Sequence, residues 1–241
     1  MSAAPGGQGR AKWDGAARPG GVVAIVPAFD EAGRIAAVIE SASRFVDAVV
    51  VVDDGSRDGT DGIAAAAGAE VVRHPTRRGK GAAVRTGLAA VRGRGYEYIL
   101  LLDGDGQHDP AETPRLLDAA KRRGFDIVVG HRLSDRSAHN SVRYYTNLVA
   151  CNMLSRWIGH EVLDSQSGFR LIRAGALEGV DLDARGFEIE TEMLLKLCRR
   201  GATVGYVEVR GGAPTRRSRL RPVRDVTRIC LSAVKYRYLV P

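Results

Sequence analysis

A chain of 241 residues, 44% hydrophobic and 27% charged, carries enough apolar material for one substantial α/β core or two small domains, which excludes wholesale disorder. Its three cysteines, Cys151, Cys198 and Cys230, are odd in number and widely spaced, which excludes a disulfide framework and a CxxC metal site and fits buried thiols in a reducing cytoplasm. The net charge of +8 is concentrated in residues 210–241, where eight Arg and one Lys face a single acid, Asp225, so the rest of the chain is balanced.

Residues 1–20, rich in Gly, Ala, Pro and Arg without periodicity, read as a flexible extension. Short apolar runs then alternate with helical patterns. The runs are Val22–Val26, Ala48–Val52, Glu70–Arg73, Tyr96–Leu102 and Asp126–Val129, each with little polar alternation, as in strands buried on both faces of a parallel sheet. Between them Ile35, Val38, Ile39 and Ala42 recur at helical spacing, as do Val84, Leu88 and Val91, then Leu116, Leu117 and Ala120. Asp109 and Pro110 form a helix-start signal. After about residue 135 the pattern changes to helices near 143–158 and 188–200, a strand near 203–209, a basic loop and a last helix near 222–238. The expected fold class is α/β, a mostly parallel Rossmann-like sheet flanked by helices in a single domain at 21–241. Residues 21–135 form its nucleotide-binding half and 136–241 its acceptor half, with a basic C-terminal helix.

In open α/β sheets ligands bind beyond the carboxyl ends of the strands. Three loops are expected there: Pro27–Glu31, Asp53–Thr60 and Asp103–Pro110, each combining acids with turn formers. If the backbone stays extended past Leu102, alternation puts Asp103, Asp105 and Gln107 on one side. Oxygen-only ligands suit a hard cation, Mg²⁺ or Mn²⁺, which would offset charge on a leaving diphosphate, while the intervening glycines admit a phosphate. Asp53, nearest its strand end, is the acid expected to face a base or ribose; the competing reading is a plain turn with Asp58 capping the next helix. Arg77–Gly81 could touch phosphates or be a solvated loop, and the five histidines lack zinc-ligand spacing.

Taken in order, Val26-Pro27-Ala28-Phe29-Asp30-Glu31, Val51-Val52-Asp53-Asp54-Gly55-Ser56, Asp103-Gly104-Asp105-Gly106-Gln107-His108, Gly130-His131-Arg132 and Asp164-Ser165-Gln166-Ser167-Gly168-Phe169-Arg170 resemble the family-2 glycosyltransferases, specifically the dolichyl- or polyprenyl-phosphate hexosyltransferase branch. Arg216–Asp225 resembles that family's later basic loop. The resemblance implies a GT-A fold, a GDP- or UDP-sugar donor, a polyprenyl-phosphate acceptor and inversion at the anomeric carbon. It implies that Pro27, Phe29, Glu31, Val51 and Asp53 line the nucleoside pocket. Asp103, Asp105 and Gln107 would hold the metal with Gly104 beside the donor, Arg132 and Arg219 would meet donor phosphates, and Ser167 and Arg170 the acceptor phosphate. Asp30 stands where the family often has Asn, and Arg219 where some members have Lys.

The expected chemistry is in-line displacement, with Asp105 and Arg132 acting on the departing diphosphate and Asp164 as base where the acceptor is a sugar hydroxyl. Val223, Val226, Cys230, Ala233 and Val234 can form one apolar helical face beside Arg221, Arg224, Arg228 and Lys235, which suits peripheral contact with an anionic membrane. A helix packed on the core is the alternative. There is no run of roughly 18 apolar residues and no secretory start, so the expected location is cytoplasmic, in solution or on the membrane face. A family-2 enzyme using a soluble or polysaccharide acceptor is the nearest rival. A sugar nucleotidyltransferase would more naturally carry a Gly-rich basic loop where Pro27–Glu31 stands. Nucleic acid is not an expected partner, because the basic cluster lacks interleaved aromatics and a reader motif.

Overall fold

The structure, a computed structural model, describes residues 21–131 and 141–210, with positions 141–147 described by their backbone alone. The extension 1–20, the expected last helix, and the candidates Arg132 and Arg219 lie outside the described residues. In chain order the elements are β1 (Val22–Ala28), α1 (Ile35–Ala42), β2 (Ala48–Asp53), α2 (Thr60–Ala66), β3 (Glu70–Arg73), α3 (Lys80–Val91), β4 (Tyr98–Leu101), α4 (Thr113–Arg123), β5 (Ile127–His131), α5 (Ser141–Ile158), β6 (Arg170–Arg173), α6 (Ile189–Arg199) and β7 (Val204–Glu208).

The seven strands form one sheet in the order β3-β2-β1-β4-β6-β5-β7. All run in one direction except β6, which is antiparallel to both β4 and β5. Both sheet faces are covered. Val23, Ile25, Val50 and Ile99 belong to one apolar cluster with Val84 of α3 and Met193 of α6. Ala24, Val26, Val51 and Leu100 belong to the other, with Ile35 and Ile39 of α1 and Leu116 of α4. Residues i and i+1 of one strand therefore enter opposite cores, which is why the strands read as unbroken apolar runs.

The helix-start signal at Asp109 holds in a modified form. Asp109 Oδ1 accepts a hydrogen bond from the Ala111 amide at 2.9 Å, but Pro110–Glu112 is a 3₁₀ turn and α4 begins at Thr113. The sheet departs from the sequence expectation in β6, of which only Arg170 belongs to the motif at 164–170. Its four residues, Arg-Leu-Ile-Arg, are too short and too charged at their ends to announce a strand. β6 determines where the site forms. Because it runs against its neighbours, Arg170 at its start pairs with Leu101 at the end of β4 and with Val129 near the end of β5. The segment that feeds β6, residues 164–169, thus arrives at the same sheet edge as the loops that leave β1, β2 and β4.

Candidate active site

The loops after β1 and β2 are stitched together by side chains. Asp30 has φ 50°, a left-handed conformation that Asp and Asn tolerate better than other L residues. Its amide donates to Ser56 Oγ at 2.8 Å, and its Oδ1 accepts from the Arg57 amide at 3.1 Å. The Glu31 amide donates to Thr60 Oγ1 and the Ala32 amide to Asp58 Oδ2. Asp58 also accepts from the Thr60 amide, and these amide bonds with the Thr60 hydroxyl hold its carboxyl below the usual range, burial working against them as the largest single effect. Asp58 thus closes a turn onto Thr60, the first residue of α2, whose N-cap position is Gly59 and carries no side-chain cap; this turn and the buried Asp53 are separate features.

Asp53 is completely buried. Its Oδ1 accepts from the Ser56 amide and hydroxyl, whereas Oδ2 has no hydrogen-bond partner and lies 3.4 Å from Arg73 Nε. A buried carboxylate oxygen without a hydrogen bond is costly, so this atom has unused capacity for a donor N–H or O–H. Asp54 is fully engaged: it accepts from His74 Nδ1 and from the Arg78 and Gly79 amides, all at 2.8 Å, and so anchors the loop that precedes α3.

The third loop corrects the alternation argument. β4 ends at Leu101, the chain turns at Gly104 and Asp105, and Gly106 has φ 71°. Asp103 and Gln107 are therefore not related by an extended backbone. Asp105 Oδ1 accepts from the Gln107 amide at 3.0 Å, closing the turn. Gly104 packs against β1: a Cβ there would lie 3.3 Å from the Pro27 carbonyl and the Ala28 side chain. The Asp103 carboxylate is held between two neighbours. Its Oδ1 is 2.6 Å from Lys80 Nζ, and its other oxygen lies so close to Gly168 that a Cβ at 168 would fall 2.4 Å from it.

Glu190 is not among the expected site residues, and Lys80 enters the expectation only as part of Arg77–Gly81, the segment that could touch phosphates or be a solvated loop. Lys80 Nζ is 2.6 Å from Glu190 Oε1 as well as from Asp103. Burial favours the neutral amine, yet the charges and hydrogen bonds of both carboxylates hold the ammonium well above its ordinary value. Burial raises the Glu190 carboxyl, against the lowering effect of Lys80. These three side chains and Pro27, Leu102, Gly168 and Met193 line one pocket. The sequence signal was available in an acid at 190 within the buried stripe of α6, but the adjacent Glu192 looks identical by position. Glu192 instead accepts from the Asp183 and Ala184 amides and from Lys196, and has no orphan oxygen.

Several expected contacts sit differently. Val51 is completely buried in the core behind the edge, so its side chain offers a nucleoside no surface. Phe29 is covered by the Arg77 guanidinium, 4.1 Å from its ring centroid, and the buried Glu31 carboxylate pairs with Arg34 at 3.2 Å. Arg170 has no exposed surface: its Nε, Nη1 and Nη2 donate to the carbonyls of Ser167, Glu190 and Ser165 at 2.6–2.8 Å. In this arrangement it braces the incoming loop and has no donor facing an acceptor phosphate. Ser167 Oγ donates to the Gly130 carbonyl, and Asp164 Oδ1 accepts from the Gln166 and Ser167 amides, an Asx-type turn. His131, at the end of β5, is pushed below its ordinary value by burial, against the charges of Asp164 and Glu208.

A profile described as "Glycosyl transferase family 2" matches residues 23–180. The chain belongs to that family. It is similar to undecaprenyl-phosphate mannosyltransferase of Micrococcus luteus, 30% identical over 78% of this chain and 82% of that one. Polyprenol monophosphomannose synthase of Mycolicibacterium smegmatis is 29% identical over 77% and 75%. Relatives with these names support the polyprenyl-phosphate hexosyltransferase branch of the family. Glucosyl-3-phosphoglycerate synthase of Mycobacterium tuberculosis, solved with Mn²⁺, UDP and glucosyl-3-phosphoglycerate, superposes with a TM-score of 0.70 at 26% identity, covering 92% of this chain and 81% of that one. The fold is of the GT-A type.

Among the described residues no three Asp, Glu, His or Cys side chains converge into a ready-made metal cage. The oxygen donors present still fit a hard divalent ion of the kind bound by one or two carboxylates with substrate phosphate completing its shell. Asp103 already carries a cation, the Lys80 ammonium, on one oxygen, so this carboxylate is placed to bind positive charge.

Proposed function

We propose that this family-2 enzyme moves a hexose from a GDP- or UDP-sugar to a polyprenyl phosphate, with inversion. The observation that carries the reading is the meeting of two loops at one sheet edge, where Asp103, leaving β4, rests on Gly168, entering β6. The first loop supplies oxygen donors and close backbone approach for a diphosphate. The second comes from the chain's other half and is built for the acceptor.

In this reading Asp103, Asp105 and Gln107 hold Mg²⁺ or Mn²⁺, and Gly104 leaves room for the donor. A divalent ion bound there neutralises charge on the departing diphosphate. Asp53 Oδ2 accepts from the nucleoside, with Pro27, Phe29 and Glu31 beside it once Arg77 is displaced from the Phe29 ring. Arg132 and Arg219 pair with donor phosphates. The acceptor oxygen attacks the anomeric carbon as the bond to the nucleoside diphosphate breaks. A phosphate monoester is already ionised near neutral pH and needs no base, whereas a hydroxyl acceptor would need one, and Asp164 is the candidate.

A phosphorylated soluble acceptor is favoured by one finding, the neighbour solved with glucosyl-3-phosphoglycerate. Both readings share a phosphate-bearing acceptor. Radiolabelled UDP-glucose and GDP-mannose, each offered polyprenyl phosphate or 3-phosphoglycerate with Mn²⁺, discriminate between them. Label in the lipid extract supports the proposal, and label confined to the aqueous product replaces it with the second reading. Asp105→Ala should remove transfer while preserving the circular-dichroism spectrum; near-normal turnover would refute the metal assignment.

A further inference from the structure

The pocket beside Asp103 contains a cation shared between two carboxylates. Lys80 heads α3, and that helix end is tightly held: a Cβ on Gly79 or Gly81 would fall 2.3 or 2.4 Å from the carbonyls of Arg185 and Ala184. The Lys80 side chain is 14% exposed and its ammonium lies 2.6 Å from Asp103 Oδ1 and 2.6 Å from Glu190 Oε1. Glu190 Oε2 is buried and has no hydrogen-bond partner, so Glu190 has an unused acceptor. The surrounding Pro27, Val84, Ile189 and Met193 are apolar, which strengthens each charge contact.

We propose that Lys80 is an internal counter-ion that occupies the metal-facing oxygen of Asp103 until a divalent ion binds with the donor, and that Glu190 then takes the ammonium alone. This inference rests on the metal role proposed for Asp103. Two cations cannot both sit at bonding distance on one carboxylate oxygen without strong repulsion. The ammonium has three donors, and the carboxylate it already touches at Glu190 Oε1 has a vacant acceptor in Oε2, so a small rotation about the lysine stem trades one charge-assisted bond for another. Lys80 is thus a positioning residue acting through Asp103. The site binds metal poorly when empty of nucleotide, because the ammonium competes, and well when the added diphosphate charge favours the divalent ion. Metal and donor binding are coupled as a consequence, each strengthening the other by the same factor.

The test is Mn²⁺ binding followed by electron paramagnetic resonance of the free ion, with and without UDP or GDP. In nucleotide-free protein, Lys80→Met combined with Glu190→Gln, which removes both charges together, should bind Mn²⁺ about tenfold more tightly than the unaltered chain, a coupling of ordinary size. Glu190→Gln alone should weaken nucleotide-free binding, since the ammonium loses its alternative partner, and Lys80→Arg, which keeps the charge, should bind as weakly as the parent. If the double variant, folded by circular dichroism and thermal melting, binds Mn²⁺ no better than the parent, the inference is overturned. Asp103→Asn separates this failure from the broader one. Should that variant retain full Mn²⁺ binding with nucleotide present, the metal role itself is wrong, whatever Lys80 does.

Discussion

Gly168 lies so close to the Asp103 carboxylate that an added Cβ would stand 2.4 Å from its Oδ2 and 2.7 Å from its Cγ. Position 168 is not in the left-handed region, so alanine suits the backbone and the clash is purely with the carboxylate. The clash is relieved when Asp103 swings off Gly168, which disturbs its contact with Lys80. Gly168→Ala should therefore lower transfer by about 10²-fold, the scale of a 1 Å misplacement near the chemistry, with a stability change within about 2 kcal/mol. Steady-state kinetics beside urea unfolding checks this; a folded variant that turns over as fast as the parent would contradict it. His131 gives a residue-scale pH prediction. Burial depresses its pKa below the ordinary 6.5, so the unfolded chain takes up the proton first as pH falls. The contribution is whole above pH 6.5 and is lost as pH drops through the folded value. His131→Asn should flatten the fall in melting temperature between about pH 7 and pH 5 relative to the parent; parallel curves would show that the ring does not titrate as argued.

At the level of elements, β6 is where sequence reasoning and structure part. The strands of the first half are legible because burial on both faces leaves continuous apolar runs, and their observed limits fall within two residues of those expected, β4 being shorter at both ends. The loops after them were legible as chemistry because acids and glycines cluster at strand ends. β6 was hidden by Arg170, a charge at a fully buried position, whose three backbone partners are set by the fold and leave no local pattern. The same cause hid the Lys80–Glu190 pair, whose partners are 110 residues apart in the chain. The expectation that Arg170 meets an acceptor phosphate came from the motif alone, and the guanidinium is instead spent on carbonyls that shape the entering loop. Arg170→Lys cannot reproduce that planar fork. It should cost about 2–4 kcal/mol of stability by leaving buried carbonyls unpaired, measured by chemical denaturation. A change below 1 kcal/mol would mean that the carbonyls find other partners.

On the scale of the whole molecule, a single sheet joins both halves of the chain, and the site lies along the edge where they meet. The net charge is distributed quite differently. Residues 210–241 carry all of the +8, while the sheet-bearing remainder is balanced, so any long-range field is that of one end of the chain. Among the described residues no helix is long and apolar enough to cross a membrane. If the acceptor is a polyprenyl phosphate, its phosphate lies at a bilayer surface, and each Lys or Arg near an anionic surface adds about 1 kcal/mol of attraction. We therefore expect the full chain to co-sediment with vesicles containing phosphatidylglycerol, not with neutral phosphatidylcholine vesicles, and to be released by about 0.5 M salt as screening shortens the reach of the charges. A variant with Arg224, Arg228, Lys235 and Arg237 changed to Gln loses four of those charges without touching any residue assigned to donor or acceptor. It should lose most of the vesicle binding while transferring sugar normally to a detergent-dispersed acceptor. Equal sedimentation of variant and parent would show that the basic end does not bring the enzyme to lipid, leaving the acceptor to be met through the site alone.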